Sequence, residues 1–406
     1  MRRVVVTGMG VVSSIGDNVE QVKQALWDGT SGIAADQDMI DHGFRSQVSG
    51  APKLDWETVL DRKERRFMGA GAAWNYIAMK EALAMSGLED HDISNIRTGL
   101  IMGSGGPSTK TLHDAMNIVR EKGSTKRIGP LAVPKAMSST NSATLATPFK
   151  IKGMSYSISS ACTTSLHCIG NAVEMIQWGK QDVMFAGGGE ELFWGMSCLF
   201  DAMGAMSSKF NDAPTTASRT YDIARDGFII AGGAGVLVLE EYERAKARGA
   251  NIIAEVTGYG ATSDGYDMVA PSGEGGQRAM ELALSTHKGK VDYINPHGTS
   301  TPVGDIPEID GIRNVWGADK APIISATKAL TGHSLGAAGV QESIYSLIMM
   351  RDGFICESAN ITEIDPRVAD MPIARKRTEQ EVVTVLSNSF GFGGTNGSVI
   401  FSRENL

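Results

Sequence analysis

The chain has 406 residues, of which 42% are hydrophobic and 21% charged, a composition typical of a globular protein. Its formal net charge of −8 argues against general nucleic-acid binding, which requires a basic surface, and no apolar run approaches the roughly 18 residues of a membrane helix. Four unevenly spaced cysteines without a CxxC pair indicate reduced thiols, so we expect a cytoplasmic protein with no membrane insertion.

The first segment predicts a strand followed by a helix. "RRVVVTG" (2–8) is short and β-branched, and Thr7 interrupts it too early for a signal peptide. The helix pattern that follows starts at Asp17 or Asn18, which are capping residues, and ends at Gly29. Such alternation of short strands and helices continues along the chain and is typical of layered α/β proteins.

The segment 154–187 predicts a strand, a corner, an amphipathic helix and a second strand, with Cys162 at the corner. A helix N-terminus lowers the pKa of a nearby thiol and favours the reactive thiolate. Free cysteines are also often inert residues of the core. From this segment alone, Cys162 is either a buried apolar residue or a nucleophile.

A weak internal repeat divides the chain. "VTGMGVVSS" (6–14) and "VTGYGATSD" (256–264) share five of nine residues, so we expect two related α/β halves, 1–250 and 251–406. No Pro- or Ser-rich linker separates them, which predicts a shared interface. The Gly-x-Gly of each copy and "GSGG" (103–106) resemble parts of nucleotide-binding loops, but each fingerprint is incomplete, and duplication explains the repeated one.

Two histidines of the second half stand in turns after predicted strands. His297 lies in "NPHGTSTPVGD", and His333 lies in "SATKALTGHSLGAAG", five residues after Lys328. Ligands of open α/β folds collect at the carboxyl ends of strands, so a common cleft is expected. No HxH or HExxH spacing favours a metal site. Near the C-terminus, the glycine-flanked Phe392 is suited to present a backbone N–H to a developing oxyanion.

Together these segments resemble the elongating, two-histidine β-ketoacyl-acyl-carrier-protein synthases over essentially the whole chain. The resemblance rests on four motifs: "SSACTTS", "PHGTSTPVGD", "TKALTGHSLGAAG" and "SNSFGFGGTN". "GHSLGAAGVQESIYSL" and "FAGGGEEL" are closer to the type I branch than to type II. The resemblance implies the thiolase fold, an α/β fold of two duplicated halves in a five-layered αβαβα arrangement, assembled as a homodimer.

The resemblance also implies an activity: decarboxylative Claisen condensation by an acyltransferase of fatty acid biosynthesis. Cys162 then accepts the acyl chain as a thioester, and His297 and His333 assist decarboxylation of malonyl-carrier protein. Lys328 and Glu342 support the histidine pair electrostatically. Neutral imidazoles suit this chemistry, because an enolate needs hydrogen-bond donors more than a strong base. No cofactor is implied, since the substrates are carried on the phosphopantetheine of acyl-carrier protein.

Further positions of the family's site match this chain. The backbone N–H groups of Cys162 and Phe392 resemble the oxyanion hole, and the Phe392 ring resembles a gate. Thr299 and Thr301 match positions that bind the pantetheine arm. Three residues align with the acyl tunnel, and each is also consistent with ordinary core: Met137, Phe200 and Phe228.

The acidic carrier protein requires a basic docking surface. Two clusters stand out on this acidic chain, with Arg62, Lys63 and Arg66 in the first and Lys126 and Arg127 in the second. The alternative for the first cluster is a solvated helix face, because acidic residues are interleaved with the basic ones.

Related activities fit the sequence less well. A thiolase requires a second cysteine in the C-terminal half, where His333 stands, and a chain-initiating synthase uses Cys-His-Asn. A chain-length-determining partner subunit lacks the nucleophile, whereas Cys162 is present. A cysteine hydrolase pairs one histidine with the thiol, so the second histidine and Lys328 would be surplus.

Overall fold

The β-branched runs form strands and the amphipathic segments form helices in a computed structural model that describes residues 1–406. The strands are β1 (Val4–Val12), β2 (Ala34–Ala35), β3 (Val48–Ser49), β4 (Thr98–Gly103), β5 (Ser155–Tyr156), β6 (Val183–Glu190), β7 (Gly233–Glu241), β8 (Ala254–Ser263), β9 (Tyr293–Asn295), β10 (Ile323–Ile324), β11 (Phe354–Ile355), β12 (Thr378–Glu379), β13 (Thr384–Gly391) and β14 (Thr395–Ser402). The α-helices are α1 (Val19–Asp28), α2 (Gln37–Asp41), α3 (Trp56–Val59), α4 (Arg62–Arg65), α5 (Ala70–Ser86), α6 (Asp90–Ile93), α7 (Thr109–Lys122), α8 (Ala132–Ala136), α9 (Thr140–Ala146), α10 (Thr164–Gln177), α11 (Trp194–Ala202), α12 (Tyr242–Ala247), α13 (Glu274–Leu284), α14 (Asp305–Trp316), α15 (Lys328–Thr331) and α16 (Ala338–Asp352). Five short 3₁₀ helices lie at Thr125–Arg127, Pro214–Thr216, Ala318–Lys320, Leu335–Ala337 and Pro366–Val368.

The first helix shows how local sequence sets the boundaries of an element. The side chain of Asn18 accepts the backbone N–H of Gln21 at the start of α1. Gly29 ends the helix with a φ of 66°, a left-handed conformation that glycine adopts without steric cost. The predicted strand and helix of this segment are therefore confirmed.

Ten strands are hydrogen-bonded in the order β10-β9-β13-β14-β8-β1-β7-β6-β4-β5, and the two halves of this order have the same topology. In the first, β1 and β7 are antiparallel, β7 and β6 are antiparallel, and β4 is parallel to both β6 and β5. In the second, β8, β14, β13, β9 and β10 repeat these relations in turn. The halves join at a short antiparallel contact of β1 with β8.

Helices cover the sheet on both sides and also separate its two halves. α5 packs on β1 and β7, and α13 packs in the equivalent place on β8 and β14. α10 and α16 pack against each other between the halves, and α16 is buried on every side from Ala338 to Met350. The result is the expected five-layered αβαβα thiolase fold. No helix is long and apolar enough to span a bilayer.

The repeated glycines of β1 and β8 permit close helix packing. A Cβ added at Gly8 or Gly10 would lie 2.3 or 2.0 Å from a carbonyl oxygen of α5. A Cβ at Gly258 or Gly260 would lie 2.2 or 2.1 Å from a carbonyl oxygen of α13. These distances leave no room for a side chain, so the Gly-x-Gly pairs hold helix against strand in both halves.

The proposed boundary between residues 250 and 251 falls in the segment between α12 and β8. The division into 1–250 and 251–406 stays a prediction, although the strand order repeats on either side of this segment.

Candidate active site

The predicted site residues come together at the carboxyl ends of the parallel strands. Cys162 follows β5, His297 follows β9, His333 lies beyond β10, and Phe392 follows β13. All four line one cavity of about 320 Å³. The two halves therefore contribute to a single site, with the cysteine from the first half and the histidines from the second.

Cys162 sits on a sharp turn that is fixed to the second half. Ala161, immediately before it, has a φ of 50°, which is rare for a residue with a side chain. The Thr163 hydroxyl donates to the carbonyl oxygens of Ser389 (3.2 Å) and Thr395 (2.9 Å). The Ser389 hydroxyl donates to the Cys162 carbonyl oxygen at 3.0 Å. These bonds hold the nucleophile corner against the β13–β14 hairpin.

The expected lowering of the Cys162 pKa by a helix N-terminus stays a prediction, and burial acts on the thiol in the opposite direction. α10 begins only at Thr164, and burial of the thiol raises its pKa to about 12. The charge of Lys328 and the backbone N–H groups of Cys162 and Phe392 act in the opposite direction, while Glu190 adds to the rise. The resting cysteine is therefore a thiol, and the two N–H groups predicted for an oxyanion hole both lie next to its sulfur.

The two histidines form a perpendicular pair. Their ring centroids are 5.2 Å apart and their planes are at 86°. Burial and the charge of Lys328 lower the pKa of both imidazoles well below the usual value, and for His297 the neighbouring His333 contributes as well. Both rings are consequently neutral near pH 7, and each has one N–H to donate.

Lys328 lies behind the histidines in a buried ion pair. Its Nζ is 2.6 Å from Oε1 of Glu342, and both side chains are only 2% exposed. Burial raises the pKa of Glu342 to about 7, and Lys328 opposes this rise. Neither residue lines the cavity, so the pair influences the site through its electric field. No group of three or more His, Cys, Asp or Glu side chains is arranged to hold a metal ion.

Two buried glutamates of the site were not foreseen. Glu308 accepts the backbone N–H groups of His297 and Gly298, each at 2.8 Å, and the amide of Asn388 at 3.1 Å, so it fixes the His297 turn. Glu190 ends β6 inside the quoted "FAGGGEEL" and accepts hydrogen bonds from two loops. No local sequence pattern predicts a carboxylate that accepts hydrogen bonds from backbone groups distant in sequence. For Glu190, the only available signal is its position as an acidic residue at the end of an apolar strand.

The other predicted substrate positions divide into two groups. Thr299, Thr301, Phe200 and Phe228 all line the cavity, and the rings of the two phenylalanines lie 5.5 Å apart. Met137 follows α8, is half-buried and does not line the cavity of this single chain. Its assignment to the acyl tunnel stays a prediction.

The basic residues predicted to dock the carrier protein are all exposed, and none forms an ion pair: Arg62, Lys63, Arg66, Lys126 and Arg127. The interleaved acids have other partners. Asp61 accepts the backbone N–H groups of Lys63 and Glu64 at the start of α4, and Glu64 accepts the Tyr76 hydroxyl. Asp61 and Glu64 therefore form no ion pair with the predicted docking residues, although the backbone N–H of Glu64 and, to a smaller extent, the charge of Lys63 lower the pKa of Asp61.

A five-layered duplicated α/β fold with a cysteine and two neutral histidines in one cavity defines the class of thiolase-fold condensing enzymes. The models of the β-ketoacyl synthase N-terminal and C-terminal domains match residues 1–245 and 253–362. The chain belongs to the β-ketoacyl synthase family.

Individual relatives agree with this assignment. The chain is 56% identical over 404 residues to 3-oxoacyl-[acyl-carrier-protein] synthase 1 of Escherichia coli (strain K12), covering 99% of both chains. It superposes on a β-ketoacyl synthase from Burkholderia phymatum with a TM-score of 0.92, at 35% identity over 99% of this chain and 100% of the other. A type II PKS acyl-carrier protein in complex with its ketosynthase gives a TM-score of 0.90, at 28% identity over 99% of each chain.

Proposed function

We propose that this chain is a 3-oxoacyl-[acyl-carrier-protein] synthase that lengthens a cysteine-bound acyl chain by two carbons, using malonyl-carrier protein. The observation that carries the proposal is the content of one cavity: a thiol, two neutral imidazoles and the N–H groups of Cys162 and Phe392. Full-length identity of 56% to a synthase 1 supports the type I assignment.

In the first half-reaction, the sulfur of Cys162 attacks the thioester carbonyl of acyl-carrier protein. The attack forms the new carbon–sulfur bond of a tetrahedral intermediate, whose carbonyl oxygen carries the negative charge. Collapse of this intermediate breaks the bond to the carrier sulfur, and the proton of the Cys162 thiol passes to the departing carrier thiolate. The N–H groups of Cys162 and Phe392 stabilise the oxyanion of the intermediate. Burial raises the pKa of the thiol, so the protonated form predominates before substrate binds.

In the second half-reaction, malonyl-carrier protein loses CO₂ and its electron pair forms an enolate at the thioester. His297 and His333 each donate an N–H hydrogen bond to the enolate oxygen. Neutral rings suit this role, because each carries one N–H and donates it without changing its protonation state. The enolate carbon attacks the Cys162 thioester and releases the 3-oxoacyl product on carrier protein. The freed Cys162 thiolate then takes a proton from solvent, which its raised pKa favours.

The cavity wall fits a substrate with a polar arm and an apolar tail. Thr299 and Thr301, whose hydroxyl oxygens are 3.0 Å apart, offer hydrogen bonds to the amides of a phosphopantetheine arm. Phe200 and Phe228 offer an apolar surface to the acyl chain. We propose that Met137 contributes to this surface only in the dimer. The substrates carry the phosphopantetheine, and the enzyme itself uses no cofactor.

We further propose that the enzyme is a cytoplasmic homodimer. Its four cysteines are free thiols, as in a reducing compartment. Exposed apolar side chains lie on consecutive turns of α7, at Leu112 and Met116, and Val133 of α8 is also exposed. Light scattering coupled to gel filtration tests the dimer, and a mass of a single chain would contradict it.

Variants of the three central residues test the mechanism step by step. We expect Cys162→Ala to abolish condensation, because no acyl thioester forms. We expect His297→Ala or His333→Ala to block CO₂ release from malonyl-carrier protein while acyl transfer to Cys162 continues. Radiolabelled acyl transfer and CO₂ release measure the two steps separately, and condensation retained by Cys162→Ala would refute the proposed function.

Carrier docking is tested apart from the chemistry. Lys63→Glu should raise KM for the carrier protein with little change in kcat, because Lys63 is exposed, unpaired and outside the cavity. Lys320→Glu is the matched control, since Lys320 is also exposed, unpaired and outside the cavity and precedes β10, at the end opposite His333. An equal KM for the two variants would contradict docking on α4.

A further inference from the structure

Glu190 occupies a junction that the proposed mechanism does not use. Its carboxylate is buried, with 3% of the residue exposed, and it forms no ion pair. One oxygen accepts the Ser104 hydroxyl at 3.0 Å and the Gly106 N–H at 3.2 Å. The other accepts the Gly105 N–H at 2.6 Å and the Gly336 N–H at 2.9 Å. Four donors from two separate loops thus converge on one carboxylate.

Three backbone segments meet around this carboxylate. A Cβ added at Gly336 would lie 2.2 Å from the Gly105 nitrogen and 2.6 Å from the Glu190 carboxylate. A Cβ at Gly105 would lie 2.9 Å from the same carboxylate and 3.6 Å from the Ala161 carbonyl oxygen. The "GSGG" loop, the turn after His333 and the residue before Cys162 are therefore in close contact.

Two of these segments contain a strained residue within two positions of a reactive one. Ala161 has a φ of 50° and precedes Cys162, and Leu335 has a φ of 48° and lies two residues after His333. A left-handed conformation at a residue with a side chain costs roughly 1–2 kcal/mol and persists only where surrounding contacts hold it. The bond from Gly336 to Glu190 is adjacent to the strained Leu335 and supplies such a contact.

We propose that Glu190 is a positioning residue for condensation, whose ionised carboxylate fixes the His333 turn relative to the Cys162 corner. This inference rests on the proposed function. An ionised carboxylate has acceptor sites for all four donors, whereas a protonated acid or an amide must point a hydrogen at one of them. Burial raises the pKa of Glu190 to about 7, and the four hydrogen bonds oppose this rise. The junction between the nucleophile and the decarboxylating histidine therefore tightens as the carboxylate ionises, and loss of the charge loosens it.

The charge of Glu190 provides an independent readout. Of the charged groups that act on the Cys162 thiol, Lys328 lowers its pKa and Glu190 raises it, while the two nearby imidazoles are neutral. Removal of the carboxylate charge thus lowers the thiol pKa. A disturbance of the junction that leaves the carboxylate in place keeps this charge effect on the thiol.

Two variants separate geometry from charge. Glu190→Gln removes the charge and one acceptor, whereas Gly105→Ala keeps the charge and displaces the carboxylate through the added Cβ. We expect both to reduce kcat for CO₂ release from malonyl-carrier protein by about 10- to 100-fold, the cost of a displacement on the order of 1 Å, with KM unchanged. Glu190→Gln should move the pH midpoint of iodoacetamide alkylation at Cys162 to lower pH by more than Gly105→Ala does.

The control is Glu191→Gln, at the neighbouring carboxylate, which accepts the Ser108 hydroxyl at 2.9 Å and the Lys110 N–H at 3.1 Å. It should leave both readouts at wild-type values, and alkylation lost in Cys162→Ala identifies the labelled thiol. CO₂ release within twofold of wild type in Glu190→Gln and Gly105→Ala would overturn the proposal, as would an unmoved alkylation midpoint in Glu190→Gln. Absence of CO₂ release from wild-type enzyme would instead refute the proposed function, and the alkylation profile would still report whether Glu190 acts on Cys162.

Discussion

At the residue scale, the charge state of the site is set by burial more than by local sequence. Burial raises the pKa of the Cys162 thiol to about 12 and lowers the pKa values of His297 and His333 well below their usual value. Lys328 acts on all three groups with the sign expected for a nearby cation. The site therefore holds its reactive groups uncharged at neutral pH and keeps a cation behind them.

This arrangement predicts the pH dependence of decarboxylation. Because both imidazoles stay neutral well below pH 6.5, the histidines should give CO₂ release no inflection near the ordinary histidine pKa. An inflection near pH 7 in the wild-type enzyme is expected from Glu190, whose pKa burial raises to about 7. Lys328→Met removes the like charge, so the imidazole pKa values rise and the acid limb of the profile begins at higher pH. CO₂ release measured between pH 5 and 8 checks both statements.

Lys290→Met, which removes an exposed cation, serves as the control and should leave the profile unchanged. An inflection near pH 6.5 that persists in Glu190→Gln would contradict neutral histidines. A profile of Lys328→Met that coincides with the wild type would show that the buried cation does not set their pKa.

At the scale of elements, α10 and β8 are packed at a distance that only glycine allows. A Cβ added at Gly170 of α10 would lie 2.1 Å from ring carbons of Tyr259 in β8. Gly311 lies within α14, and there an added Cβ would have only ordinary contacts of 3.4 Å or more. The same substitution therefore has opposite expected effects at the two sites.

Gly170→Ala should lower the free energy of unfolding by about 2–3 kcal/mol, because the tyrosine ring must move out of a packed interface. Gly311→Ala should raise it by about 0.5–1 kcal/mol, since alanine is the better helix former. Urea denaturation followed by circular dichroism measures both. Equal changes of the same sign would contradict the packing described.

The sequence predicted the secondary-structure elements around the site better than the pKa values and hydrogen bonds of the residues in the site. Periodicity and turn residues, which are local signals, predicted the corner of Cys162, the post-strand turns of His297 and His333 and the glycine-flanked position of Phe392. The thiol pKa and the contacts of Glu190 and Glu308 depend on segments more than 80 residues away or on the closeness of neighbouring backbone. The position of Met137 outside the cavity likewise could not be read from its neighbours in the chain.

At the scale of the whole molecule, the two halves are not independent bodies. α10 of the first half packs against α16 of the second, and Thr163 bonds to the β13–β14 hairpin. The short contact of β1 with β8 continues the hydrogen bonding from one half to the other. These contacts bury surfaces that either half would expose to water when separated.

We therefore predict that residues 1–250 do not fold as an isolated unit. Without the second half, the apolar face of α10 and the edge of β1 lose their partners, and the hydrophobic contribution of that interface is absent. The full chain should unfold in one calorimetric transition, whereas the fragment should give no cooperative transition. A sharp, reversible transition of the isolated fragment would contradict this expectation.

The paired glycines of β1 and β8 have a genetic consequence. Each pair holds a helix against a strand so closely that any side chain collides with a carbonyl oxygen, and the arrangement is encoded in both halves. Duplicated genes usually give redundancy, in which one copy tolerates damage because the other remains intact. Here both copies are fused around one cavity that takes its thiol from one half and its imidazoles from the other. Neither half is redundant. Selection should therefore remove substitutions at any of the four glycines as strictly as substitutions of Cys162.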